Sequence, residues 1–236
     1  MPATAAASAP GMSGLAGIQA RIEAARSPNQ PPVRLLAVSK GQSVERIRLL
    51  AQAGQREFGE NYVQEAIAKI VELADATLRF HLIGPLQSNK CELVARHFAG
   101  IESLDRAKLV PLLAAARPAA LAPLEVLVQV KLDAEASKSG AAPEAVPALC
   151  AAVAREPRLA LRGLMAIPAP DPDPAQRRKR FAQLAQLYAD LRADYPAMDR
   201  LSIGMSDDFE LAIAAGATEV RIGSALFGPR APRDHP

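Results

Sequence analysis

The chain has no tryptophan, and only three tyrosines and six phenylalanines among its 236 residues. Aromatic platforms for stacking bases are therefore scarce, and the one dense basic run, Arg177-Arg178-Lys179-Arg180, has none interleaved with it. Such a run reads as a solvated helix face rather than a nucleic-acid contact. Two cysteines, Cys91 and Cys150, share no close spacing, which excludes a disulfide framework or a redox pair and suits a reducing cytoplasm. The three histidines, at 81, 97 and 235, are too scattered for a zinc site. No apolar run approaches the ~20 residues that span a bilayer. Met1 to Ala9 lacks both a basic leader and a sustained apolar core, so it reads as a disordered start and not a secretory signal. A P-loop, a dinucleotide fingerprint and a Ser-His-Asp order are missing as well.

What remains is a well-mixed chain. Half of it is hydrophobic, and 28 basic against 25 acidic residues leave a net charge of +3. Short apolar segments alternate with helical patterns from end to end. The spacing predicts strands at 34–39, 57–59, 79–83, 100–103, 124–130, 160–166, 200–203 and 219–222. Helices are expected near 43–53, 61–74, 88–97, 105–117, 143–155, 174–193 and 206–215, with a last one opening after Gly223. The run Leu124-Glu125-Val126-Leu127-Val128-Gln129-Val130 has the β-branched richness of a strand buried on both faces. Such alternation implies parallel strands joined by right-handed crossovers. Eight units favour one closed (β/α)8 barrel, with an open doubly wound sheet as the alternative. Residues 12–26 read as an extra N-terminal helix, residues 1–11 as a disordered lead, 12–230 as the barrel domain and 231–236 as a tail.

In a parallel barrel the ligand face lies at the carboxyl ends of the strands. Lys40 closes the first strand at the turn through Gly41, and a lysine there is costly unless it pairs or reacts. Three readings stay open for it: a snorkelling surface lysine, a phosphate-binding cation, or an amine that forms an imine. At the other end of the chain, Gly223 and Ser224 follow the last strand where it runs into a helix, a place where free N–H groups hold an anion. Ser206, after strand seven, reads as a helix N-cap or as a second phosphate contact. Arg221 reads as a salt-bridge partner or as a guanidinium against a pyridine nitrogen, which it would keep unprotonated. Asn61 is a helix cap or a donor to a ring oxygen. His81 reads as a satisfied core histidine, and Lys138 as an exposed loop lysine able to receive or release an aldehyde. An amine for an aldehyde and a cradle for a phosphate together point to pyridoxal 5′-phosphate (PLP).

Several of these segments are long enough to be specific. They are Ala37-Val38-Ser39-Lys40, Phe58-Gly59-Glu60-Asn61-Tyr62-Val63-Gln64-Glu65, His81 through Lys90, and Ser137-Lys138-Ser139-Gly140. Gly163-Leu164-Met165, Gly204-Met205-Ser206-Asp207-Asp208 and Val220-Arg221-Ile222-Gly223 continue the series in order. Together they resemble the pyridoxal phosphate homeostasis protein family over about residues 34 to 230. The resemblance implies an alanine-racemase-like (β/α)8 barrel that binds PLP through an imine at Lys40. It further implies that Arg221 faces the pyridine nitrogen, that Ser206, Gly223 and Ser224 hold the phosphate, and that Asn61 lies near the ring. There are departures: Gly41-Gln42-Ser43 stands where Thr-Lys-Pro often follows the imine lysine, and Lys131 stands in place of a common asparagine.

The expected role is PLP carriage and homeostasis in the cytoplasm without robust turnover, with apo PLP-dependent enzymes as candidate recipients and a monomer as the default. Length supports it, because barrel racemases add a β-rich domain with a catalytic tyrosine, and this chain ends about eight residues after Gly228. The alternatives are a racemase-like PLP enzyme, with Tyr62 or His81 as base, and a phosphate-sugar aldolase that uses Lys40 without a cofactor.

Overall fold

The computed structural model describes residues 10–132, 139–169 and 171–228. The expected disordered start at 1–9, Lys138 on its loop and the tail at 231–236 lie outside the described residues. Eight parallel strands pair in sequence order into a closed barrel. They are β1 (Arg34–Val38), β2 (Glu57–Glu60), β3 (Arg79–Leu82), β4 (Gly100–Leu104), β5 (Leu124–Gln129), β6 (Leu159–Met165), β7 (Arg200–Ser202) and β8 (Glu219–Ile222). The closing pair joins the two ends of the chain: Leu36 is registered with Arg221, and Ala37 with Ile222. The open doubly wound alternative is thereby excluded.

The helices are α1 (Pro10–Ala25), α2 (Val44–Gln52), α3 (Val63–Leu73), α4 (Cys91–His97), α5 (Leu109–Ala116), α6 (Val146–Ala154), α7 (Pro174–Asp194), α8 (Phe209–Ala214) and α9 (Ser224–Phe227). Among the described residues a single helical turn, α9, follows β8, and α1 packs beside α8 and α9 in the outer ring. It buries Leu15, Ile18 and Ile22, a helical spacing. Arg21 seals the joint from outside, stacked 4.6 Å from the Phe209 ring centroid.

Between strands and helices lies an apolar layer that includes Phe58, Leu82, Val94, Ile101, Val126, Leu164 and Ile222, all fully buried or nearly so. Each such side chain contributes roughly 1.5–3 kcal/mol through burial. The lumen differs. The Ser202 hydroxyl donates to Glu102 Oε2 at 2.7 Å, and β4 and β7 are not neighbours, so this bond crosses the barrel interior. Below it, Arg200 pairs with Glu125 at 2.8 Å, and His81 Nε2 lies 2.6 Å from Glu57 Oε2. His81 is fully buried and partnered, as expected of a core histidine. Gly100 makes its room, since a Cβ there would stand 2.8 Å from the imidazole Nδ1.

Candidate functional site

The carboxyl ends of β1, β2, β7 and β8 gather most of the residues singled out from the sequence. Val38 ends β1 opposite Gly223, where an added Cβ would lie 3.4 Å from both the Val38 Cβ and its carbonyl oxygen. Lys40 follows two residues later in a turn completed by Gly41 at φ 68°, a left-handed conformation that suits glycine. On its other flank the Ser39 N–H donates to the Gly59 carbonyl at 2.9 Å, which carries the β1–β2 ladder up to the Asn61 loop. Lys40 is half-buried. The barrel closure thus sets its turn between Asn61 on one side and Gly223 and Ser224 on the other.

The two serines meet. Ser206 and Ser224 come from successive βα loops, and their hydroxyls lie 3.4 Å apart. Ser206 is not a helix cap. The N-cap of α8 is Asp208, whose carboxylate accepts from the Met205 N–H at 2.7 Å, so this corrects the capping reading and leaves the Ser206 hydroxyl facing Ser224. Asn61 is not a cap either. Tyr62 occupies the N-cap position of α3, without a side-chain cap bond, and the buried Asn61 Oδ1 has no hydrogen-bond partner within the chain. A buried polar atom without a partner costs roughly 1–3 kcal/mol, and a bound ligand would relieve it.

Arg221 lies beneath this rim, 3% exposed. It donates to the Ser202 carbonyl at 2.6 Å, the Ser202 hydroxyl at 2.7 Å and the Ala166 carbonyl at 2.8 Å. These bonds tie β8 to the ends of β7 and β6 and hold the guanidinium in one orientation. Two buried carboxylates, Glu102 and Glu219, lie in its electrostatic reach. Burial, reinforced by the neighbouring Glu219, pushes the Glu102 carboxyl well above the usual carboxylate range against the pull of Arg221.

Neither Glu102, Glu219 nor the Glu60–Lys69 pair behind the Lys40 turn was singled out from the sequence. A signal existed for two of them, because Glu102 and Glu219 are charged residues inside segments read as strands, whereas Glu60 stands one residue past the segment read as 57–59. Period-two alternation then separates lumen residues (Glu57, Glu102, Glu219, Arg221) from outward ones such as Glu60. Lys131 stands half-buried beyond the end of β5, and Tyr62, the base considered for an enzyme, is 53% exposed. Among the described residues no group of histidine, cysteine or carboxylate side chains could hold a metal ion, and no helix is long and apolar enough to cross a membrane.

An eight-stranded parallel barrel with an amine, hydroxyls and a buried arginine at its strand ends defines a class, and sequence comparison finds the same class. The family model for the N-terminal domain of alanine racemase matches residues 14–231. Within that class, the chain is 52% identical to the pyridoxal phosphate homeostasis protein of Pseudomonas aeruginosa, over 92% of this chain and 94% of that one. The protein of the same name from Escherichia coli is 49% identical over 92% and 95%. The solved structure of PipY from Synechococcus elongatus with PLP bound superposes with a TM-score of 0.78 at 39% identity, covering 89% of this chain and 100% of that one. The chain belongs to the pyridoxal phosphate homeostasis protein family. Alanine racemase from Corynebacterium glutamicum, at 17% identity and a TM-score of 0.67, shares the fold.

Proposed function

We propose that this protein binds pyridoxal 5′-phosphate at the carboxyl end of the barrel and serves PLP homeostasis as a carrier. Lys40 supplies the amine for covalent attachment, and Gly223, Ser224 and Ser206 hold the phosphate. Arg221 faces the pyridine nitrogen, and Asn61 donates to or accepts from the ring substituents. The observation that carries this reading is the closure of β1 against β8. It brings the Lys40 turn beside the glycine–serine turn, with the paired Ser206 and Ser224 hydroxyls at 3.4 Å and the fixed guanidinium of Arg221 below. The unpartnered Asn61 Oδ1 and the two hydroxyls that face each other fit a polar, phosphorylated ligand better than an apolar one. Relatives that bear the homeostasis name and the PLP-bound PipY structure support the same ligand.

Bound PLP supplies an electron sink, and the residue at its ring nitrogen sets how strong that sink is. A guanidinium donates there without giving up a proton, so it leaves the ring a weak sink and favours storage over turnover. Residence in the cytoplasm fits two buried cysteines that are both free thiols. The test is a spectrum of the purified protein after PLP addition, followed by borohydride reduction and peptide mapping. The label should sit on the peptide that contains Lys40 and vanish in Lys40→Ala. A label elsewhere moves the attachment site and refutes the Lys40 assignment, and a protein that stays colourless favours the cofactor-free aldolase. Rapid racemisation or deamination of a panel of L-amino acids would overturn the carrier role.

A further inference from the structure

The turn that carries Lys40 is clamped from outside the barrel wall. Lys69, on α3, is 7% exposed. Its Nζ donates to the Ser39 carbonyl at 2.8 Å, to Glu60 Oε1 at 2.8 Å and to Glu65 Oε1 at 2.7 Å. Glu60, fully buried at the end of β2, also accepts from the Ser39 hydroxyl at 2.7 Å. Glu65 Oε1 accepts from the Gly41 N–H at 2.7 Å. Both residues that flank Lys40 are therefore bonded into one ion cluster, Ser39 through its carbonyl and hydroxyl and Gly41 through its amide. A buried lysine among carboxylates adds little net stability over aliphatic packing of the same volume. Orientation is what this cluster supplies.

We propose that Lys69, Glu60 and Glu65 are positioning residues that lock the Ser39–Gly41 turn and so aim the Lys40 amine at the aldehyde of the bound ligand. The inference rests on the reading of Lys40 as the attachment point. An amine must approach a carbonyl carbon within a narrow cone, and a misplacement of about 1 Å can cost on the order of 100-fold in rate. Lys40 hangs on a flexible four-carbon stem, so its backbone anchor fixes the starting point of that approach. The phosphate-side residues lie on the other flank. Ser206, Arg221, Gly223 and Ser224 make none of the cluster's hydrogen bonds, and Arg221 is tied to β6 and β7 instead. Loss of the clamp should separate the two functions, slowing covalent attachment while sparing phosphate recognition.

The experiment compares wild type with Lys69→Met and Glu65→Ala. Lys69→Met removes the ammonium at similar volume but leaves buried carboxylates facing one another. Glu65→Ala, at a side chain 32% exposed, disturbs the interior less than a change at Lys69 and is the second variant for that reason. Three readouts are taken: the rate at which PLP becomes fixed to the Lys40 peptide by borohydride, the affinity for pyridoxine 5′-phosphate, which has no aldehyde, and amide hydrogen exchange of residues 39–42 in ligand-free protein. Both variants should slow attachment about tenfold or more, leave pyridoxine 5′-phosphate affinity within about twofold, and speed exchange at Gly41. Equal loss of both ligands, with exchange raised across the barrel, would make the cluster merely structural and overturn the proposal. Unchanged attachment with unchanged exchange would overturn it as well. A wild-type protein that fixes no PLP at Lys40 defeats the tether reading, and the aiming role with it. That outcome is told apart because it appears without any substitution.

Discussion

Arg221→Met tests whether the lumen charges are organised around the guanidinium. The substitution keeps an unbranched stem that stops short of the guanidinium and removes three hydrogen bonds of 2.6–2.8 Å, stripping a donor from the Ser202 and Ala166 carbonyls. It also takes from Glu102 and Glu219, 0% and 2% exposed, the opposing charge of Arg221. Removing one partner from a buried charge arrangement costs about 3–5 kcal/mol. For a domain of this size, each kcal/mol lowers Tm by about 2–4 °C, so a drop on the order of 10 °C is expected. The loss should also depend on pH. The Glu102 carboxyl is already raised by burial, then by Glu219, with Arg221 opposing. A raised carboxyl holds its proton more tightly in the folded state than in the unfolded chain. Its favourable contribution is complete below the unfolded carboxylate pKa and is lost as pH climbs through the folded value. Without Arg221 the opposing pull is gone and the carboxyl rises further, so over the range from the usual carboxylate pKa to beyond the raised wild-type value the gap between variant and wild type should widen, and should do so only once pH passes that raised value. Urea unfolding of ligand-free protein at both ends of that range measures it. Adding Glu102→Gln to the variant should recover roughly 1–2 kcal/mol at the upper pH by removing one of the two facing charges. A gap that is the same at both pH values, or a double variant less stable than Arg221→Met, would refute this account of the lumen.

Three further outcomes are expected. Gly84→Ala would put a Cβ 2.2 Å from the Asn61 carbonyl oxygen, so the loop must move, costing about 1–3 kcal/mol and weakening PLP binding through Asn61; an unchanged melt together with an unchanged PLP titration would sink it. Ser206→Ala with Ser224→Ala removes two donors to an anion, each worth about 1.5–3 kcal/mol, so PLP affinity should fall on the order of 100-fold or more while pyridoxal, which has no phosphate, is little affected; equal losses for both ligands would argue against a phosphate there. Burial pushes the Cys150 thiol up to about 12 and raises Cys91 too, so a disulfide reagent such as Ellman's at about pH 8 should titrate both thiols only after unfolding, and a fast native-state reaction would contradict their burial.

The sequence alone determined the strand–helix alternation, because strand and helix periods are written locally. All eight strands were legible to within about a residue at each end, and Lys40, Ser206 and Gly223 could be set at the ligand end from their positions after strands. Local patterns also misled: Asn61 and Ser206 look like helix caps, since a polar residue before a helical pattern is the usual N-cap. The folded chain instead starts those helices at Val63 and Phe209, which frees both side chains. Only the tertiary structure decided that β1 closes on β8, that Glu102 meets Ser202 across the lumen, and that Lys69 reaches back to Ser39. Those contacts join residues between 30 and over 180 positions apart, where sequence spacing carries no distance information and burial alone fixes which charges must find one another.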